Sequence, residues 1–389
     1  MVAPYSSAGW TLNHLNITVH SESVGLQVFD KYYAYRQSCN AHKNYQSDVT
    51  VTFGDPIKGA CNLLYAYMPA DPVDTTNHDL IFYENCSEGL EVATRQIQHG
   101  IQSDPDQYLL CGAYLDKNHG DYNKIIPWSL CHALFIDRYT RGFYPAYFDR
   151  AQHKVYQRGP IWYINGQRRA WRHWALQEIV QAVPRLPIKD SISQRVWPDE
   201  QCFFETSEDT QARLQLNSDI TTPEEAITYY TTDAVPIGID QKFGTIAPGW
   251  FVLPEYYQYY CTVFPESNWI NNQIQPNEKF FKCCVAETIP MPVGGANINR
   301  LYQQLGYQTA WNLLPPELQQ YDQELDHLKR YSIIADAVQW LADNPGVFRT
   351  RIADRIRQNN KLNVFESTVD LATMHRLDEI FANYFTFTP

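Results

Sequence analysis

The sequence predicts an α/β protein of two Rossmann-like domains followed by a helical C-terminal segment. Two observations point to this class: strand and helix patterns alternate in the first third of the chain, and a second such series begins near residue 160. A third is length, because 389 residues exceed what one hydrophobic core usually supports. We therefore expect an N-terminal domain over 1–155, a C-terminal domain over 156–345, and helices over 346–389 that pack back on the domains.

In the first series, short apolar runs predict strands at 15–20, 49–54, 79–85 and 107–115. Between the last two, residues 88–101 carry apolar side chains near helical spacing and predict a helix. Strand, helix and strand in this order favour a parallel sheet with crossover connections. The first domain is therefore predicted to be Rossmann-like.

The second series repeats the pattern. Strands are predicted at 160–166, 259–267 and 289–293, and helices at 168–183, 277–288, 296–306, 330–346 and 366–385. A capping box at Thr222-Pro-Glu-Glu225 predicts one more helix start. Two such series make a two-domain α/β protein.

Composition restricts the classes of function and the compartment. No apolar run is long enough for a membrane helix, and the first residues lack a signal-peptide pattern, so we expect a cytoplasmic protein. The nine cysteines include no pair at zinc-binding spacing, which predicts reduced, mostly buried thiols. A net charge of −12 argues against a protein that coats nucleic acid.

Charge is unevenly distributed along the chain. Eight Lys and Arg residues lie from Arg138 to Arg172, with one acidic residue, Asp149, among them and Asp137 directly before them, and aromatic residues are interspersed. Such a stretch can attract an anion, and its aromatic rings could stack on sugars or on nucleic-acid bases.

The segment Asn277–Gly295 begins with Glu278 and Lys279, turns apolar and ends in two glycines. If Asn277 caps a helix, Glu278 lies in the first turn, where the helix dipole favours an anion. A solvated helix start would explain this pair without any ligand. The glycines, however, follow the next strand, at the sheet edge where open α/β proteins bind ligands.

This segment resembles the donor-binding segment of GT-B glycosyltransferases, notably the α1,3-fucosyltransferase and exostosin-like groups. Those proteins have Thr-Glu-Lys at a helix start and a Pro-Val-Gly turn further along; here Asn277 replaces the Thr, and the turn is Pro292-Val-Gly294. The chain also resembles phage and marine-bacterial glycosyltransferase-like proteins, with an Asn-Gly-x-x-Arg-x-x-Arg turn from Asn165 to Arg172 and Pro265-Glu266-Ser267 after a strand. The resemblance covers roughly residues 155–345.

The resemblance implies two Rossmann-like domains facing each other across a cleft, with a nucleotide-diphosphate sugar, UDP- or GDP-linked, bound by the C-terminal domain. It implies that Glu278 holds the donor ribose, that Lys279 and Arg172 neutralise the diphosphate, and that the glycines give the backbone room. The predicted donor-binding residues are Arg169, Arg172, Glu266, Glu278, Lys279, Lys282, Gly294 and Gly295. No metal and no separate cofactor is implied.

For the acceptor, His20 and Glu22 follow the first strand, and either could be the general base, although a loop His and a surface Glu are the plainer interpretation. The later strand ends offer Glu84, Glu88 and Asp116 as further candidates.

A metal-dependent alternative would use Asp104-Pro-Asp106, but this motif precedes a strand and its proline suits a turn.

The sequence thus predicts a metal-independent glycosyltransferase that moves a sugar to an acceptor hydroxyl on a glycan or small molecule. One alternative is a phage-type DNA glycosyltransferase acting on a hydroxymethylated base extruded from the duplex, in the host cytoplasm. A second is an inactive transferase fold that serves as a binding protein.

Overall fold

The structure is a computed structural model. It describes residues 14–20, 28–35, 50–67, 74, 77–84, 108–111, 114–115, 125–126, 132, 158–165, 170–190, 254–266, 271–274, 276–366 and 368–381. The chain divides into two compact units: the first unit comprises residues 1–137 and 367–389, and the second unit comprises residues 138–366.

The strands of the first unit are β1 (His14–Val19), β2 (Thr50–Phe53), β3 (Cys61–Tyr67), β4 (Leu80–Glu84), β5 (Tyr108–Cys111), β6 (Tyr114–Leu115) and β7 (Ile125–Ile126). Six of them form one sheet in the order β2-β1-β3-β4-β5-β7, and every neighbouring pair is parallel. Residues 28–35, after β1, form helix α1.

One face of this sheet is packed against two helices. Alternate residues of β1, β3 and β4 point to the same side because side chains in a strand repeat with period two. They form one buried cluster with α1 and with the C-terminal helix α9 (Thr368–Phe381). The Tyr32 hydroxyl of α1 donates to Asp378 Oδ1 of α9 at 2.7 Å. The C-terminal helix is therefore part of the core of the first unit.

The second unit contains a sheet of four parallel strands in the order β9-β8-β10-β12. Their bounds, with those of the short strand β11, are β8 (Gly159–Asn165), β9 (Ile188–Asp190), β10 (Tyr259–Pro265), β11 (Gln273–Ile274) and β12 (Ile289–Val293). The register places three buried residues opposite one another: Ile161 of β8, Cys261 of β10 and Ile289 of β12.

The helices of the second unit are α2 (Ala170–Ala182), α3 (Pro254–Gln258), α4 (Glu278–Val285), α5 (Ile298–Gln304), α6 (Pro316–Gln319), α7 (His327–Asp343) and α8 (Arg351–Glu366). Three short 3-10 segments, Ala310–Leu313, Gln320–Asp322 and Pro345–Arg349, connect them. Gly306 follows α5 with φ +83, the left-handed conformation that commonly ends a helix.

The predicted mixed α/β class, with parallel sheets and a helical C-terminus, is confirmed. Nearly all the strands and helices expected in described residues are present, with ends shifted by a few residues. The strand expected over 107–115 is described as β5 and β6, and the helix expected over 366–385 as α9. The helix at 88–101 and the capping box at Thr222 lie outside the described residues. The domain limits and the facing of two domains stay predictions.

Several described elements were not predicted from the sequence, and two of them are large. β3 is a central strand, and α8 is a sixteen-residue helix placed before the one predicted at the C-terminus. Both carry polar side chains on buried positions, Asn62 in β3 and Asn360 in α8. In α8 such residues interrupt the helical apolar pattern, whereas the apolar run 63–67 of β3 is uninterrupted and was not assigned to a strand.

Candidate functional site

The second sheet has a topological switch point between β8 and β10. Tyr163 and Val263 lie in a buried cluster with α2 and α7 on one face. Thr262 points to the other face, where its hydroxyl accepts from Trp162 Nε1 at 2.6 Å and bonds to the Cys283 thiol of α4. The helices that follow β8 and β10 therefore cover opposite faces. Such a reversal opens a crevice at the carboxyl ends of the two strands, where open α/β sheets bind ligands.

Glu266 directly follows β10 at this crevice and is 2% exposed. Its carboxylate accepts a hydrogen bond from the Tyr302 hydroxyl at Oε1 and one from Asn277 Nδ2 at Oε2, the latter at 3.0 Å. Its backbone N–H donates to the Val293 carbonyl at 2.8 Å, at the end of β12. Its own carbonyl accepts from Arg172 Nη2 at 2.7 Å. Glu266 thus connects β12 and the helices α2, α4 and α5.

Helix α4 begins at the same place because Asn277 caps it, as predicted. Asn277 has extended backbone angles, and its Oδ1 accepts from the backbone N–H of Lys279 at 2.9 Å and of Phe280 at 3.4 Å. Glu278 then occupies the first turn, with 22% of its side chain exposed, and Lys279 Nζ donates to Glu278 Oε1 at 2.9 Å. A capped helix start with an acidic first turn is a favourable arrangement.

The charge state of Glu278 follows from its neighbours. Burial by itself would raise the pKa of this carboxyl, but the ammonium groups of Lys279 and Lys282, with a hydrogen bond from Lys279, lower the pKa to about 2. Glu278 is therefore an anion at neutral pH and can only accept hydrogen bonds. Burial, and next the Glu266 carboxylate, raise the pKa of the Tyr302 phenol, which keeps that hydroxyl a donor.

Three cations are buried around this helix start. Arg172 is 3% exposed, Lys279 8% and Lys282 4%. Arg172 lies in the first turn of α2, where the helix dipole disfavours a cation. Burying a charge costs free energy unless it is compensated. The cluster of Arg172, Lys279, Lys282, Glu266 and Glu278 has one more positive than negative charge, which suits an anionic ligand.

The glycine bend at Gly294–Gly295 follows β12 and is buried. Arg330 of α7, itself fully buried, donates from Nε to the Gly294 carbonyl at 2.9 Å and from Nη1 to Asn271 Oδ1 at 3.0 Å. Asn271 Oδ1 also accepts from the Ala296 backbone N–H at 2.8 Å. The bend is thus held from both sides by side chains of other segments.

The structure describes most of the predicted donor-binding residues. It brings Arg172, Glu266, Glu278 and Lys279 together, and Lys282 lies close enough to lower the Glu278 pKa. The bend joins this group through Val293, whose carbonyl accepts from Glu266. Arg169 lies outside the described residues.

Of the candidate bases, His20 lies in the bend after β1, with an exposed side chain. Its backbone N–H donates to the Tyr65 carbonyl at 2.9 Å, so it sits at the carboxyl edge of the first sheet, as predicted. Glu84 ends β4. Glu22, Glu88 and Asp116 lie outside the described residues.

Sequence reasoning missed three residues that support the site: Tyr302, Asn271 and Arg330. Tyr302 falls among the apolar positions of its helix, where a ring is expected to be core. Arg330 opens a helix pattern in which a charged residue is usually solvated. In the sequence, nothing distinguishes these side chains from ordinary helix and loop residues.

Within the described ranges, no group of three or more His, Cys, Asp or Glu side chains is arranged to hold a metal ion. Asp104 and Asp106 lie outside those ranges. In the same part of the chain, no helix combines the length and apolar character that crossing a membrane requires. Cys61, Cys261, Cys283 and Cys284 are free and buried.

No protein-family model matches the chain, and no curated protein matches it. Among solved structures, an alpha1,3-fucosyltransferase is 10% identical, with a TM-score of 0.33 and coverage of 98% of this chain and 95% of that chain. An alpha1,3-fucosyltransferase with GDP-fucose is 9% identical, with a TM-score of 0.34 and coverage of 97% of this chain and 92% of that chain.

A third similar structure is WaaG, a glycosyltransferase involved in lipopolysaccharide biosynthesis, at 9% identity, a TM-score of 0.29, and coverage of 94% of this chain and 99% of that chain. These three solved structures are of glycosyltransferases. The functional assignment rests on the residues of the site.

Proposed function

We propose that this chain is a glycosyltransferase that takes a sugar from a nucleoside-diphosphate sugar and transfers it to an acceptor hydroxyl without a metal ion. One observation supports the proposal most: a partly exposed, ionised Glu278, ion-paired to Lys279, begins a capped helix at the crevice between β8 and β10. The resemblance of this segment to GT-B donor sites agrees with it.

The chemistry of the site fits such a donor. An ionised carboxylate accepts two hydrogen bonds from a ribose cis-diol, and it repels phosphate, so Glu278 would face the ribose. The ammonium group of Lys279 has three N–H donors; one donates to Glu278, and the other two could donate to diphosphate oxygens. The glycine bend would let backbone N–H groups approach the same anion.

The proposed reaction separates the sugar from its diphosphate and joins it to the acceptor oxygen. Charge grows on the leaving diphosphate, and preorganised cations stabilise it there, the role that a metal ion has in other transferases. Lys279, Lys282 and Arg172 would supply that charge. His20 or Glu22 would accept the proton of the acceptor hydroxyl. UDP or GDP would be the nucleotide, and a glycan or small molecule the acceptor.

A DNA acceptor lacks comparable support. That alternative depended on the basic stretch from Arg138 to Arg172, of which the structure describes Arg158 and Arg172. Arg158 donates to the Glu287 carbonyl at 2.8 Å, and Arg172 donates to the Glu266 carbonyl. Both are engaged within the protein. Salt-sensitive binding of duplex DNA would be the result that favours this alternative.

A donor-hydrolysis screen tests the proposal. The chain is incubated with UDP-, GDP-, ADP- and CMP-linked sugars, and released nucleotide is measured. We expect release from a UDP- or GDP-sugar but not from CMP-sugars, which lack a diphosphate. Glu278→Ala should lose this release. Glu317→Gln, which alters an exposed carboxylate in the first turn of α6, serves as the control. Failure to release nucleotide from any donor, with no binding of the diphosphates, would contradict the proposal.

A further inference from the structure

We propose that Glu266 is a positioning residue, which orients the donor site through Asn277 instead of contacting the donor itself. This inference rests on the proposed function, because the helix start that Glu266 orients is the proposed nucleotide site. It gives Glu266 a role different from the donor contact expected from the sequence.

The Glu266 carboxylate is buried and accepts hydrogen bonds from protein side chains. Only 2% of the residue is exposed, and each carboxylate oxygen accepts a hydrogen bond from within the second unit: Tyr302 at Oε1 and Asn277 at Oε2. A buried carboxylate is stabilised by such donors and is costly to leave without them. Its hydrogen bonds therefore bind protein groups to one another.

The side-chain amide of Asn277 bonds both to Glu266 and to the helix start. The oxygen of this amide accepts from the first-turn N–H groups of Lys279 and Phe280, and its nitrogen donates to Glu266 Oε2 at 3.0 Å. An amide has one end that accepts and one that donates, so it satisfies both neighbours at once. An aspartate would satisfy the helix equally well but would place a second carboxylate against Glu266.

These contacts fix the position of the first turn of α4. Tyr302 stacks on Phe280 of α4, with ring centroids 4.0 Å apart, so both partners of the carboxylate act on the first turn of α4. Through its backbone, Glu266 also holds Arg172 and the end of β12. One residue thereby sets the relative positions of Glu278, Lys279 and Arg172.

The test uses Asn277→Asp. Asp and Asn are comparable helix caps, so a capping role alone predicts little change. The Glu266 interaction predicts weaker nucleotide binding, because two buried carboxylates about 3 Å apart repel each other. We expect Kd for GDP or UDP, measured by calorimetry at pH 8, to rise at least about tenfold, which corresponds to about 1.4 kcal/mol.

The double variant Asn277→Asp with Glu266→Gln should recover most of the affinity, since the Gln amide can donate to the new aspartate. The penalty in the single variant should also shrink as the pH falls, because the repelling pair takes up a proton and loses its repulsion. The double variant should lack this pH dependence. Thr350→Asp adds the same charge at the exposed cap of α8, where Thr350 Oγ1 accepts from Ala353 N–H at 3.2 Å, and should leave Kd unchanged.

Amide hydrogen exchange of Lys279 and Phe280, measured without nucleotide, separates this inference from the proposed function. Faster exchange in Asn277→Asp and recovery in the double variant would support the coupling. If Asn277→Asp has the exchange rates and the Kd of the wild type, the inference is overturned. It is also overturned if Asn277→Asp raises both values and adding Glu266→Gln does not restore them. If the wild type binds neither GDP nor UDP, the proposed function fails and the ligand-positioning role fails with it, while exchange still decides whether Glu266 holds Asn277.

If Asn277→Asp does not fold, Tyr302→Phe replaces it. This variant keeps the ring against Phe280 and removes only the hydroxyl that donates to Glu266. We expect a several-fold higher Kd and faster exchange at Lys279 and Phe280. Wild-type values for both would overturn the inference.

Discussion

Removal of the charge of Glu278 should change how the stability of the second unit depends on pH. Lys279 and Lys282 hold the pKa of this carboxyl at about 2, against an ordinary value of 4.5, although burial opposes them. A carboxyl whose pKa is lowered in the folded state stabilises that state above the unfolded pKa. The contribution is therefore complete above about pH 5 and is lost as the pH falls from 4.5 towards 2.

The size of the effect follows from the shift. Each pKa unit corresponds to about 1.36 kcal/mol, and pH 3 lies 1.5 units below 4.5, so about 2 kcal/mol would be lost by pH 3. Solvent screens part of this, because 22% of the Glu278 side chain is exposed. We expect the wild type to lose about 1–2 kcal/mol more than Glu278→Gln between pH 6 and pH 3.

Urea denaturation of both proteins at pH 6, 5, 4 and 3 provides the assay. Acid weakens the folded state through many carboxyls, so the informative quantity is the difference between wild type and variant at each pH. Glu317→Gln should follow the wild type throughout. If wild type and Glu278→Gln lose the same free energy of unfolding between pH 6 and pH 3, the ion pairs of Glu278 do not stabilise the fold, and the reasoning is refuted.

Three further predictions concern other residues and the metal. Turnover should survive EDTA, since cations of the protein stabilise the leaving diphosphate; loss on chelation with recovery on adding manganese or magnesium would contradict this. His20→Ala and Glu22→Ala should each leave nucleotide affinity unchanged, and the true base should lose about a hundredfold or more in turnover; wild-type rates in both would exclude the pair. Arg330→Met should lower the free energy of unfolding by about 3 kcal/mol or more, because the buried Gly294 carbonyl and the part-buried contact to the Glu324 carbonyl lose their donor; an unchanged urea midpoint would show that this arginine does not hold the bend.

Much of the fold could be predicted because its strands are apolar runs and its helices have capping and stop signals. The start of α4 is an example: Asn277 in front of Glu278 indicated a cap, and the structure has that cap. Gly306 indicated the end of α5 and has the positive φ that such an end requires. These signals are local, so a single sequence is enough to detect them.

Two of the elements that were missed carry buried polar side chains that bond to other segments. In α8, Asn360 exchanges hydrogen bonds with the backbone of Gln308, and Asn363 donates to the Leu305 carbonyl. In the first sheet, Asn62 donates to the Ile57 carbonyl and accepts from Asn16. A polar residue on a buried face looks like a surface residue until its partner is known.

In the candidate site, too, local features could be predicted from the sequence and contacts between distant segments could not. The charged residues of the segment from Asn277 to Gly295 could be identified from their order along the chain. That Glu266 lies between Asn277 and Tyr302 depends on side chains 11 and 36 residues away, and this pairing is visible only in the structure.

Binding of a nucleoside diphosphate that depends on Glu278 tests the central claim most directly. Thermal unfolding of wild type and Glu278→Ala is measured with and without GDP and UDP, with Glu317→Gln as the control. At about a hundredfold excess over Kd, the ligand should stabilise the wild type and the control by roughly 2.7 kcal/mol. In Glu278→Ala, which should remain folded, that stabilisation should be largely lost. Equal stabilisation of wild type and Glu278→Ala, or none in the wild type with either nucleotide, would contradict the account.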